Sequence, residues 1–189
     1  GFLDGATFSF KNRGTFSADT RFTTHTRSVL SYRLTGADYG PDGSNPPQTS
    51  RDGIYHDIGF TQYWYSEDFK RYIFGTGEYN HSSTRGGNFD ARGFTTRVGV
   101  HTPLIWKTDM DASVEYQYAN YPHFVSLSSL DTDKRRNSDL DFYVALTHYF
   151  TPEVAVRIFN RFTTADNDNG FYEYDRNIGG AQVLYSKSF

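Results

Sequence analysis

The chain has 189 residues, with 19 Lys and Arg against 22 Asp and Glu and a formal net charge of -3. That balance excludes a general nucleic-acid binder, which needs a basic excess to neutralise phosphates. The absence of cysteine excludes disulfide scaffolds, thiolate zinc sites and cysteine nucleophiles.

Aromatic residues make up 18 % of the chain, yet the hydrophobic fraction is 37 % and the mean hydropathy is -0.67. Many rings in a polar background suit half-buried strands or a membrane interface better than a Leu, Ile and Val core. No run approaches the roughly 18 apolar residues of a membrane helix. No secretory leader is recognisable, so the expectation is a mature chain beginning at Gly1 or one lacking upstream sequence.

In chain order, alternation with a period of two replaces helical periodicity. Over 6–18, Phe8, Phe10 and Phe16 oppose Lys11 and Arg13. Over 21–36, Phe22, Leu30, Tyr32 and Leu34 oppose Arg21, His25, Arg27 and Arg33. Strands are expected next at 53–66, 71–84 and 92–106. Over 110–126, Ala112, Val114, Tyr116 and Tyr118 oppose Ser113, Glu115 and Gln117. Over 138–150, Leu140, Phe142, Val144 and Leu146 oppose Asp141, Tyr143, Ala145 and Thr147. Over 153–165, Val154, Val156 and Ile158 oppose Arg157 and Arg161, and a last strand covers 171–187. Most are long enough to cross a bilayer at a tilt, which takes about 9–11 residues.

The connections alternate in kind. "SADTR", "SEDFKR", "WKTDMD" and "FTPEV" read as short turns, whereas "GADYGPDGSNPPQTSRDG", "STRGGNFDARG", "SLSSLDTDKRRNSD" and "TADNDNGFYEYDR" are longer and polar. Sorting of short and long connections to opposite ends suits a membrane barrel with short periplasmic turns and long extracellular loops. The expected fold is therefore all-β, an antiparallel up-and-down transmembrane β-barrel of about eight to ten strands. It occupies 1–189 as one domain or as the C-terminal part of a larger barrel. A soluble ligand-binding β-barrel is the alternative.

The chain ends "YEYDRNIGGAQVLYSKSF", with Ala181, Val183, Tyr185 and the terminal Phe189 on one parity. This ending resembles the C-terminal signal strand of Gram-negative outer-membrane proteins, although Lys187 stands where an apolar residue is usual. "NGFYEYDRNIGG" is similar to the last extracellular hairpin of porin-like barrels and of barrels behind tetratricopeptide repeats. "GFLDGATFSFKNRG" resembles the first strand of specific porins over about twenty residues. The resemblance implies an outer-membrane location in contact with membrane lipid; "DTDKRRNSD" reads as a solvated loop whose Lys134, Arg135 and Arg136 could meet lipopolysaccharide phosphates. The resemblance also implies assembly by the barrel-assembly machinery. Nine strands, an odd number, leave open a barrel shared between several chains as a homo-oligomer, and the expected role is a porin-like channel for small polar or anionic solutes or the membrane anchor of an envelope or secretion complex. No cofactor is implied.

Three groups of residues invite chemistry. Lys11, Arg13, Arg21, His25, Arg27, Arg33, Arg97, Arg157 and Arg161 share the polar parity and would line a lumen that selects anions. The competing account pairs them with Asp57, Glu78, Glu115 and Asp141. In "EYNHSSTRGGN", His81 and Ser83 share one face, the minimum for a nucleophilic hydrolase. That pair resembles the His-x-Ser site of outer-membrane lipid A 3-O-deacylases, which also need an acidic orienting partner; Glu78 and Asp90 are merely nearby in sequence, and Thr84 stands where that family typically has Asn. The acidic loop with Asp166, Asp168 and Asp175 matches no EF-hand spacing. Phe60, Trp64, Tyr65, Tyr72, Phe74, Trp106, Tyr149 and Phe150 flank short turns and are expected to form an interfacial girdle.

Overall fold

The computed structural model describes residues 2–3, 6–7, 10–38, 51–124, 135–168 and 173–186. Two short strands, β1 (Phe2–Leu3) and β2 (Ala6–Thr7), pair with each other. Nine long strands follow: β3 (Phe10–Thr23), β4 (Thr26–Asp38), β5 (Gly53–Tyr65), β6 (Tyr72–Thr84), β7 (Ala91–Pro103), β8 (Thr108–Tyr121), β9 (Arg135–Tyr149), β10 (Val154–Asn167) and β11 (Tyr174–Tyr185). They form one sheet in which every strand pairs antiparallel with its sequence neighbour. The fold is all-β and up-and-down, with a strand count inside the expected range. Among the described residues the only helical element is a single 3-10 turn, Gly87–Phe89.

The sheet's edges are β3 and β11, which do not pair with each other. Both run from the end carrying the long connections to the end carrying the short turns, so a direct seam between them would be parallel.

The first turn falls later than the sequence suggests. β3 runs on to Thr23, and Thr24–His25 make the turn instead of "SADTR". The Asp19 carboxylate accepts from Arg27 Nε at 2.9 Å across the β3–β4 ladder, which holds the chain extended through this stretch. The Thr23 and Thr26 hydroxyls then close the turn at 2.9 Å, and the register shifts between Thr20 and Thr23. At the next short turn, Asp68 accepts from the Ser66 hydroxyl, the Lys70 N–H and the Arg71 guanidinium. These donors, Ser66 foremost, hold its carboxyl below the ordinary carboxylate range.

The two faces of the sheet differ sharply, because side chains alternate along each strand and cross-strand partners share a face. One face carries Leu30, Ile58, Phe60, Ile73, Phe94, Val98, Val114, Phe142, Val144 and Ile158, all exposed. Ile58, Ile73 and Val98 are 50, 54 and 66 % exposed, whereas the Asp57 and Glu78 side chains on the opposite face are 17 and 27 % exposed. Among the described residues the buried hydrophobic ones are alanines: Ala37, Ala145, Ala155 and Ala165, all on the polar face. The burial expected of a water-soluble domain is inverted.

On the polar face two aromatic rings lie over glycines. Phe74 lies over Gly99, its cross-strand partner, and a Cβ there would sit 2.4 Å from Phe74 Cε1 and 2.9 Å from the Ala112 carbonyl oxygen. Phe159 covers Gly180 in the same way, 2.7 Å from a Cβ placed there. Gly99→Val should therefore destabilise the folded sheet by about 1–3 kcal/mol, read from the denaturant midpoint. Gly77→Val, where a Cβ meets nothing within 4 Å, should cost much less.

Candidate functional site

The polar face carries ionic groups of both signs. Arg33 on β4 donates from Nε to Asp57 on β5 at 2.6 Å, and its Nη2 reaches Glu78 on β6 at 3.6 Å. Asn80 donates to both Asp57 and Glu78, at 2.8 and 2.7 Å. Arg97 on β7 donates to the Ser113 hydroxyl at 3.1 Å and lies 3.9 Å from Glu115 on β8. Arg157 on β10 donates to Asp111 on β8 at 3.0 Å, and His101 meets the same carboxylate at 2.8 Å. Asp141 accepts from the Thr163 hydroxyl.

Two of these bridges skip a strand, a span of about 10 Å between alternate strands. Each passes over a small residue. Between Arg33 and Glu78 lies Gly59, where a Cβ would stand 2.8 Å from Ser31 Oγ and 3.4 Å from Glu78 Oε2. Between Arg157 and Asp111 lie Ala145 and Thr147, 1 and 5 % exposed. The bridges thus set which inner positions must be small.

The nine basic residues expected on a lumen wall do not share one environment. Arg27, Arg33, Arg97 and Arg157 are paired with acids, as the competing account expects for Asp57, Glu78 and Glu115. The pairing of Arg27 with Asp19 and of Arg157 with Asp111 was not anticipated. Arg161 lies 5.8 Å from the Tyr143 ring centre and forms no ion pair among the described residues. Lys11 and Arg13 sit on the polar parity of the edge strand β3 and are exposed. Arg21 lies at the register shift and lines a hollow with Thr24, Thr26, Tyr65 and Phe69. His25 is in the turn, not on a strand wall. Its ring stacks on Phe69 at 5.1 Å.

The aromatics near the short turns do not form one outward girdle. Phe60 and Trp64 face outward with Leu30 and Ile73, whereas Tyr65, Tyr72 and Phe74 face inward. With Tyr63 they form an inner aromatic cluster: Tyr63 meets Tyr72 at 5.7 Å and Phe74 at 5.8 Å, and Tyr72 stacks on His101 at 5.0 Å. Arg27 lies over Tyr63 and Arg97 over Phe74. Tyr149 also faces inward, while Trp106 and Phe150 belong to the turns. Parity counted back from Tyr63 carries this inward assignment, and Asp111 was hidden by reading "WKTDMD" as a turn when β8 begins at Thr108.

At the opposite end, the connection 85–90 folds against the polar face. The Ser82 hydroxyl donates to the Phe89 carbonyl at 2.9 Å, and Asn88 is buried. A cavity of about 240 Å³ opens there, lined by Arg51, Tyr55, Asn80, Phe89, Gln117 and Tyr121 among others.

His81 and Ser83 share the outward, apolar face, opposite His56 and Ile54. Among the described residues no hydrolytic triad assembles around them. His81 Nδ1 is buried without a hydrogen-bond partner. Asp90 instead accepts from the Thr84 N–H at 2.6 Å and meets His123 at 3.4 Å, while Glu78 belongs to the inner face. Ala181, Val183 and Tyr185 lie on the outward parity of β11, opposite Ile158, Val156 and Val154. Phe189 lies outside the described residues.

Comparison by sequence finds no matching protein-family model and no curated relative.

A double-mutant cycle on Asp111 and Arg157 should return a coupling of about 0.5–3 kcal/mol in denaturant unfolding. Additive single effects would mean the strand-skipping bridge contributes nothing to the wall.

Proposed function

We propose that the chain forms wall of an outer-membrane β-barrel, with the apolar face against lipid and the polar face lining a path for small polar or anionic solutes. One observation carries this: from β4 to β10 the large aliphatic side chains are exposed on one face, while the groups taken out of solvent on the other are alanines, hydroxyls and paired charges; Ile178 and Leu184 on the edge strand β11 are the exceptions. In water such a surface invites aggregation. In hydrocarbon the same surface is stabilising, and the ladder satisfies the backbone of every internal strand.

In this reading both free edges are covered within the membrane, because open sheet edges do not persist in lipid. Since β3 and β11 run the same way, antiparallel cover takes an odd number of further strands, whether from this chain or a partner. The outward parity of Ala181, Val183 and Tyr185 suits a terminal strand read by barrel-assembly machinery. The lumen would be lined by dipoles and mixed charges, with Arg13, Arg161 and Arg176 cations that form no ion pair among the described residues. The inner Tyr63, Tyr65, Tyr72 and Phe74 cluster would narrow the path at the short-turn end. The proposed mechanism is passive: a polar wall lowers the cost of carrying a hydrated solute across hydrocarbon, and unpaired arginines favour anions.

The test is conductance in planar bilayers alongside heat-modifiable migration on a gel. A channel gives both, with anions preferred, and Arg161→Glu should lower the anion-to-cation permeability ratio by about twofold or more. Heat-modifiable migration without conductance would replace the channel by a filled barrel or the membrane anchor of an envelope complex. A detergent-free soluble monomer would replace both by a soluble ligand-binding barrel.

A further inference from the structure

The outward face is apolar through most of its height but not at the long-connection end. There one row of directly opposed residues crosses six strands, β4 to β9: Leu34, His56, His81, Arg92, Asn120 and Arg136. The row two residues nearer the short turns is Ile58, Tyr79, Phe94, Tyr118 and Ser138, with Phe94 and Tyr118 in ring contact at 5.5 Å. A line of basic and amide groups therefore sits directly above a line of aromatic ones, on the same surface.

The upper row is incompletely satisfied. His56 Nδ1 is bonded to the Tyr32 hydroxyl at 2.8 Å and its ring stacks with His81 at 6.3 Å. Arg136 has Asp168 at 3.8 Å. Arg92, at the centre, is exposed and forms no ion pair among the described residues. The residues on either side of it hold two buried polar atoms without partners, His81 Nδ1 and Asn120 Oδ1. Such atoms carry a desolvation cost unless a ligand meets them.

We infer that Arg92, His81 and Asn120 form a binding site for the phosphorylated sugar headgroup of a membrane glycolipid. The guanidinium and a His81 N–H donate to phosphoryl oxygens, where charge assistance makes such bonds strong. The Asn120 amide, unpartnered at Oδ1 in the free protein, turns outward on binding so that Oδ1 accepts from a sugar hydroxyl, a donor that a bare phosphodiester lacks. The acyl chains lie along Tyr79, Phe94, Val98 and Val114, whose exposed surface free phosphate would leave uncovered. The inference rests on the proposal that the apolar face meets lipid.

Native mass spectrometry of the folded protein in a zwitterionic detergent tests it, with diphosphoryl lipid A, its dephosphorylated form and inorganic phosphate as probes. Diphosphoryl lipid A should be retained one to one, about tenfold more tightly than the dephosphorylated form. Arg92→Gln should weaken retention by about tenfold, Arg92→Lys should keep most of it, and Lys70→Gln in the turn at the other end should not change it. Heat-modifiable migration reports whether each variant is folded, and Asn120→Ala tests the row independently of charge. Equal retention by wild type and Arg92→Gln, or inorganic phosphate binding as well as the lipid, would overturn the site. A chain that folds into micelles without phosphate-dependent retention removes this inference alone, whereas a soluble monomer removes the membrane proposal with it.

Discussion

Everything in this protein depends on the ladder between neighbouring strands. Each pairing from β3 to β11 is antiparallel and nearly continuous, and only the β3–β4 pair contains a register shift. With the register fixed, the two-residue period of the side chains sorts the sequence into faces. A slip of one residue in β7 would put Arg97 among Val114 and Ile73 and turn Val98 towards Glu115. The cost of that exchange, a charge stripped of its acid and placed on an apolar surface, is what specifies the register.

The inner face is held together by charge and smallness rather than by apolar volume. Arg33 with Asp57 and Glu78, and Arg157 with Asp111, join strands that are not neighbours. Gly59 and Ala145 leave room beneath them. These pairs are partly buried, so their net worth is the difference between Coulomb attraction and desolvation. Removing one partner is the costlier change, because the other is left enclosed and unpaired. The same pairing leaves a polar face of mixed sign, with Lys11, Arg13, Arg161 and Arg176 among its exposed cations.

Most of this architecture was legible in the sequence because alternation is a local signal. The sides taken by Leu140, Phe142 and Val144 against Asp141 and Tyr143, and by Val114 against Glu115, follow from parity alone, and the register bears them out. What failed was non-local or turn-dependent. The turn at Thr24–His25 is set by the Asp19–Arg27 pair across the ladder, which residue types within "SADTR" do not reveal, and so His25 was placed on a wall it does not join. Proximity to a turn was read as an outward girdle, although Tyr65, Tyr72 and Phe74 have inward parity. The row of His56, His81, Arg92 and Asn120 comes from four strands and exists only once their registers are known. The pairing partners of Arg157 and the missing acid beside His81 were likewise invisible without it.

The central claim is that the exposed apolar face meets lipid and the polar face meets water. The chain contains no cysteine, so single cysteines can be placed in turn at Phe94, Thr95, Thr96, Arg97, Val98 and Val100 on β7 and labelled after folding into phosphatidylcholine vesicles. A membrane-impermeant maleimide should react at Thr95 and Arg97 and be excluded at Phe94, Thr96, Val98 and Val100, giving a period of two along one strand. Equal reaction at every position, or reaction confined to the apolar parity, would contradict the account.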